Sequence, residues 1–165
     1  MLDDLKYIHD HDPLDTLGAA EKRLGYSQWS PTVPTVKNLA KRLALDCIGK
    51  TIIIYSSLEI ASVSDAWATD FTACAGQPAV SVQFPGRPDD TGHLAILLKT
   101  GSDLAEVRQW FTAIDDRLST DRPGTIPIEA EGVTLTEQLR WLSALGDFVT
   151  IYAALLNGRK PLRKD

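Results

Sequence analysis

Cysteine is scarce in this chain of 165 residues: Cys47 and Cys74 are the only two, and neither lies in a CxxC pattern. That excludes a disulfide framework and paired-thiolate zinc spacing, and it fits a reducing cytoplasm. Long apolar runs are missing as well. No stretch of sequence approaches the roughly 20 apolar residues that cross a bilayer, so no membrane partner is expected. The first residues, MLDDLKYIHDHD, are acidic and lack the basic, apolar and small-residue regions of a secretion signal. Positive charge is in deficit too. Seventeen Lys and Arg stand against 22 Asp and Glu, a formal net charge of −5, which argues against a nucleic-acid surface. A small anion held by local backbone dipoles remains compatible with this balance.

What is present is an ordinary globular composition, 44% hydrophobic and 24% charged, at a length suited to one domain. Residues 1–34 read as an N-terminal helical and linker segment. A short helix is expected over 14–24, stopped by Gly25, and YSQWSPTVP reads more as a connector than as core. Residues 35–165 read as the folded domain. A helix over 35–48 places Val36, Leu39, Ala40, Leu43 and Ala44 at helical spacing, with Thr35 as its N-cap and Gly49 as its stop. The run TIIIYSS follows, and three consecutive isoleucines leave it no polar face, as in a strand covered on both sides. Helices are then expected over 58–75, 103–118 and 134–156, alternating with strands in PAVSVQF, HLAILLK and TIPIEAE. This alternation predicts an α/β three-layer sandwich with a mainly parallel sheet flanked by helices.

In such sheets ligands bind beyond the carboxyl ends of the strands, which directs attention to the loops after Tyr55, Phe84 and Lys99. Ser56 and Ser57 sit between a buried strand and a helix. Their hydroxyls and neighbouring N–H groups suit a phosphate oxygen, and they equally suit an N-cap. Gly49, Lys50 and Thr51 imitate the end of a phosphate loop, but Ala44 stands where its first glycine belongs and the strand comes afterwards. His9, Asp10, His11 and Asp12 offer metal donors in a terminal segment where ordering entropy weakens binding, so no metal and no cofactor is expected. Trp67 with Phe71, and Trp141 with Leu145, are spaced as core pairs. The last helix is apolar around much of its circumference, which predicts burial by another helix or by a second subunit, and hence self-association.

The run NLAKRLALDCIGKTIIIYSS, followed by a helix containing Trp67, resembles the segment that opens the second sugar-isomerase (SIS) domain of bifunctional phosphoglucose/phosphomannose isomerases. Asn38, Ala40, Lys41, Leu43 and Ala44 match that family's NPAKxLA helix, with Leu39 in place of the proline. Tyr55 and Ser57 match its Tyr-Gly-Ser-Gly turn, where Ser56 and Leu58 replace the glycines. The closing run LGDFVTIYAALLNGRKP is similar to the family's last helix at Gly146, Asp147, Tyr152, Ala154, Leu155, Gly158 and Pro161, with Lys160 replacing an aspartate. The resemblance implies an SIS-like fold, a sugar-phosphate ligand, and pairing with an N-terminal SIS domain or self-association as a dimer. It also implies aldose-ketose isomerisation between glucose or mannose 6-phosphate and fructose 6-phosphate without an obligatory metal.

The segments that carry catalysis in that family depart from its pattern here. In WATDFTACAG, Trp67, Thr69 and Ala75 match, but Ala73 occupies the position of the glutamate base and Gly76 that of a lysine. In FPGRPDDTGH, Phe84 and Pro85 match, and Asp89 or Asp90 falls where a histidine assists ring opening. Asp70, three residues before Ala73 on a shared helical face, is the substitute base to consider. His93 and Asp89 are the candidates for the histidine's role. A positioned base contributes about 10²- to 10⁴-fold in rate, so the expectation is a sugar-phosphate-binding or assembly domain without full catalysis by itself; the alternatives are an active isomerase completed by an N-terminal SIS half, and a protein-interaction domain with no sugar ligand.

Overall fold

The computed structural model describes residues 25–86, 92–118 and 124–160. The helix expected over 14–24, the acidic and histidine cluster at 9–12, and Asp89 and Asp90 lie outside those residues.

Four strands, β1 (Ile52–Ser56), β2 (Ala79–Gln83), β3 (Leu94–Lys99) and β4 (Thr125–Glu129), form one parallel sheet in the order β2-β1-β3-β4. Tyr55 pairs with Val82 on one side and with Leu97 on the other, so β1 is central. The unbroken apolar run of β1 is explained by this place. Ile52 and Ile54 enter one core while Ile53 and Tyr55 enter another on the opposite face. Helix α1 (Leu39–Cys47) precedes the sheet, α2 (Ala61–Ala73) links β1 to β2, and α3 (Ala105–Leu118) links β3 to β4. The two links leave the centre of the sheet in opposite directions. Right-handed crossovers then put their helices on opposite faces. The first core accordingly joins α2 with α1 and with the last helix, α4 (Leu135–Leu156), whereas the second holds Val107, Phe111, Ile114 and Leu118 of α3.

Helix α1 begins at Leu39, later than a cap at Thr35 predicts. A single 3-10 turn spans Thr35–Lys37, and Asn38 is the cap. Its amide serves both neighbours, accepting from the Lys41 N–H at 3.1 Å and donating to Ser30 O at 3.2 Å, which a threonine hydroxyl has less reach to do. The segment read as a connector is anchored in the core. Trp29 is 2% exposed, packs edge-on against Trp141 and Phe148, and its carbonyl accepts the Tyr152 hydroxyl at 2.6 Å. The prolines of YSQWSPTVP suggested a linker, but the indole supplies far more burial than the prolines remove.

The breadth of the apolar surface on α4 is absorbed within the chain, because α1, α2, the sheet and Trp29 all pack around it. By length and composition α4 can cross a membrane, with a mean hydropathy of 1.3 over its most apolar 18 residues, of which 61% are buried inside the protein. Gly146, Asp147 and Thr150 interrupt its apolar sequence, so it is not an unbroken apolar run. The width of α4 therefore does not itself call for a second subunit.

Candidate functional site

The chain leaves β1 toward β2 on one side, while β3 lies on the other, so the carboxyl ends of β1 and β3 flank the point where the winding reverses. Ser56 ends β1 with its hydroxyl 2.8 Å from that of Ser64 on α2, and both serines are fully buried. Ser64 in turn donates to Ala61 O at 3.0 Å and lies 3.4 Å from Gln83 Nε2. Gln83 also donates to Asp65 at 3.0 Å, and Ser81 donates to the same carboxylate oxygen. A polar chain thus runs from the end of β1 to the end of β2.

Ser57 differs. It is 3% exposed and precedes the 3-10 turn Leu58–Ile60, yet its side chain makes no capping bond and its Oγ has no hydrogen-bond partner among the described residues. A buried hydroxyl without a partner costs about 1–3 kcal/mol. Neither serine side chain acts as an N-cap: Ser56 is held by Ser64, and Ser57 Oγ has no partner among the described residues.

The loop after β3 stands beside this turn, because register brings Ser57 level with Lys99. Asp103, 3% exposed, accepts from the Thr100 N–H at 2.8 Å and from its hydroxyl at 2.9 Å. Gln138 accepts from the Gly101 N–H at 3.2 Å and donates to Gly132 O at 2.9 Å, tying the loop to the start of α4. These donors are consumed in shaping the loop, while Ser102 remains exposed with its hydroxyl 3.2 Å from that of Thr100. The helix expected over 103–118 takes Asp103 as its first residue, whereas α3 begins at Ala105 and Asp103 shapes the loop, and nothing in the sequence marks Gln138. An aspartate three residues after a threonine at a strand end is a local turn signal, whereas the Gln138 contact spans 37 residues and leaves none.

The other candidates do not gather here. Asp70 is half-buried on the third turn of α2, with about 13 Å of helical rise between Ala61 and its own position. Ala73 is exposed at the last position of α2, on an open groove of about 580 Å³ bordered by β2. His93 is half-buried at the amino end of β3, six residues before the level of Ser57, or about 20 Å along the strand. Within one chain, Ser57 and these two titratable groups cannot meet on one hexose phosphate. The Cys47 thiol lies in the core at the far end of α1 and is pushed up to about 12, by burial first and the nearby Asp46 charge second. Among the described residues no group of three His, Cys, Asp or Glu is placed to hold a metal ion.

The sequence matches the model of the bacterial phospho-glucose isomerase C-terminal SIS domain over residues 36–165. Among solved structures, the fold is similar to a glucose-6-phosphate isomerase like protein from Thermus thermophilus, with a TM-score of 0.65 and 19% identity. The likeness covers 90% of this chain and 54% of the other, so this chain spans about half the length of that protein. No curated protein matches the sequence. The family match takes in every strand and α-helix among the described residues, and the shared architecture agrees with it: the chain belongs to the family of bacterial phosphoglucose isomerase C-terminal SIS domains.

Proposed function

We propose that this domain binds the phosphate of a sugar phosphate at the carboxyl edge between β1 and β3, and that it does not complete isomerisation by itself. The observation that carries the reading is Ser57: a hydroxyl buried to 3% exposure, without a partner among the described residues, at the winding reversal where α/β sheets take their ligands. A phosphate oxygen there gives the hydroxyl the acceptor it lacks. The family relationship supports a phosphosugar as the class of ligand, and the name of the structural neighbour points the same way. Ala73 cannot accept a proton, and Asp70 and His93 stand far from Ser57, so none of these three candidates among the described residues serves the proton transfers of an aldose-ketose exchange at that point.

The test is titration of the purified chain with glucose 6-phosphate, fructose 6-phosphate and inorganic phosphate, followed by amide chemical shifts and calorimetry. Shifts are expected around residues 56–58 and 100–102, with no turnover in a coupled assay. A hydrogen bond to a charged group contributes about 1.5–3 kcal/mol, so Ser57→Ala should weaken binding at least about tenfold. Absence of binding at millimolar ligand, or binding indifferent to Ser57→Ala, overturns the reading. Turnover that survives purification overturns its second half.

A further inference from the structure

We propose that the cavity between α3 and the carboxyl ends of β3 and β4 takes the hydroxyls of the sugar whose phosphate rests on Ser57, and that Lys99 and Glu129 are the residues that read them. This rests on the phosphate reading above and adds where the rest of the ligand lies. Strand alternation sets which side chains meet there. Ser56 reaches Ser64 on α2, so the extended Ser57 (φ −69, ψ 162) turns to the opposite face, that of α3. Leu98 and Ile128 enter the core on the α2 side, so Lys99 and Glu129 also turn toward α3. Parallel register puts Ser57 level with Lys99, and Lys99 level with Glu129. The three residues therefore form one row across β1, β3 and β4, and at about 4.8 Å between strands the row is about 10 Å long.

The cavity lies along the Lys99–Glu129 half of that row, lined also by Arg108, Phe111 and Thr112, with a volume of about 200 Å³. That is smaller than the roughly 300–1,000 Å³ of sites for drug-sized ligands and suits a single sugar. Its charges balance. Lys99 and Arg108 stand against Glu129 and Asp103, and each oxygen of Asp103 already accepts a bond, one from the Thr100 N–H and one from its hydroxyl. A balanced wall suits neutral hydroxyls better than a second anion, because each hydroxyl both donates and accepts.

The ion pair in that wall is open. Lys99 Nζ stands 3.5 Å from Glu129 Oε1, beyond the roughly 2.7–2.9 Å of a direct charge-assisted hydrogen bond. A sugar hydroxyl that donates to Glu129 and accepts from Lys99 fits between them. The ammonium is held over buried Phe111, 5.9 Å from the ring centroid, and Arg108 in the first turn of α3 adds further donors. The row also imposes a length. A three-carbon phosphate anchored at Ser57 ends near Lys99, whereas a six-carbon one reaches Glu129.

Calorimetric titration of the full chain with inorganic phosphate, glycerol 3-phosphate and fructose 6-phosphate tests this. Fructose 6-phosphate should bind at least about tenfold tighter than glycerol 3-phosphate, the contribution of one hydrogen bond to a charged group. Glu129→Ala should remove most of that advantage while leaving the affinity for inorganic phosphate within about twofold, whereas Ser57→Ala should weaken all three ligands. Amide shifts at residues 99, 108–112 and 129 should move with fructose 6-phosphate and stay in place with inorganic phosphate. The Glu129 side chain is 73% exposed, so its removal should leave the fold intact by circular dichroism. If that variant fails to fold, the ligand ranking and the amide shifts of the unaltered chain decide. Suppose inorganic phosphate binds through Ser57, but fructose 6-phosphate binds no tighter than glycerol 3-phosphate, or keeps its advantage in Glu129→Ala. The proposal is then overturned and the phosphate reading stands. Absence of phosphate binding overturns both.

Discussion

Gly146 lies against the indole of Trp67, so closely that a Cβ at position 146 would overlap Nε1, Cδ1 and Cε2 of the ring. Trp67 is 1% exposed and its Nε1–H donates to Leu142 O at 2.9 Å, one turn before Gly146 on α4. The bond and the glycine together dock α2 on α4. They account for two residues that matched the family motifs, Trp67 and Gly146, without any role in binding.

Replacing Gly146 by alanine therefore pits two effects against each other. Helix propensity favours alanine by about 1 kcal/mol. Forcing a methyl into a rigid buried ring typically costs about 1–3 kcal/mol and here also disturbs the Trp67 hydrogen bond. The clash should win, with Gly146→Ala losing about 1–2 kcal/mol in urea denaturation. A variant as stable as the parent would show that the helices part at no cost.

The two serines should separate in stability. Ser56→Ala breaks the bond to Ser64 and leaves that hydroxyl with fewer partners, at a cost of about 1 kcal/mol. Ser57→Ala removes a desolvated hydroxyl that bonds to none of the described residues, so without ligand it should be neutral or slightly stabilising. Thermal melts of both variants in phosphate-free buffer check this. Equal losses would mean that Ser57 has a structural partner.

Cys47 should be unreactive in the folded chain. With its thiol pushed up to about 12, only about one in 10⁴ molecules carries a thiolate at about pH 8. Burial closes access as well, and Cys74 is also buried. Ellman's reagent should therefore consume neither thiol quickly at that pH, and both within mixing time in strong denaturant. Rapid native labelling would place Cys47 in a region that opens easily.

The fold was readable in the sequence where a residue's role is local. The isoleucines of β1, the turn after Ala73 at Gly76 (φ +63), and Thr134 with Glu137 at the start of α4 each announce their structure within a few positions. Trp29 was misread because its partners Trp141, Phe148 and Tyr152 lie more than a hundred residues away. The site shows the same division. Ser56 and Ser57 were found from their place between strand and helix, but nothing nearby tells that Ser64 holds one and leaves the other unpaired. Asp70 was drawn from the helical face it shares with Ala73, and His93 from its nearness in sequence to a motif position. A linear motif does not say that one residue lies far along a helix and the other at the opposite end of a parallel strand.

Glu137 completes a capping box: its Oε2 accepts the Val133 N–H at 2.8 Å and the Thr134 N–H at 2.9 Å, while the Thr134 hydroxyl accepts the Glu137 N–H at 3.3 Å. The backbone N–H of Thr134 is the main cause that holds its carboxyl below the usual 4.5, followed by that of Val133. The sign follows from linkage. A carboxyl depressed in the folded state stabilises the fold above its unfolded value, and that contribution is lost as pH falls through the lower folded value. Glu137→Gln keeps an acceptor for the two N–H groups but has no charge to lose. Urea midpoints from about pH 7 down to about 2.5 should show the parent more stable at neutrality and the two converging in acid. A gap that stays constant throughout would assign the glutamate a packing role and remove its charge from the account.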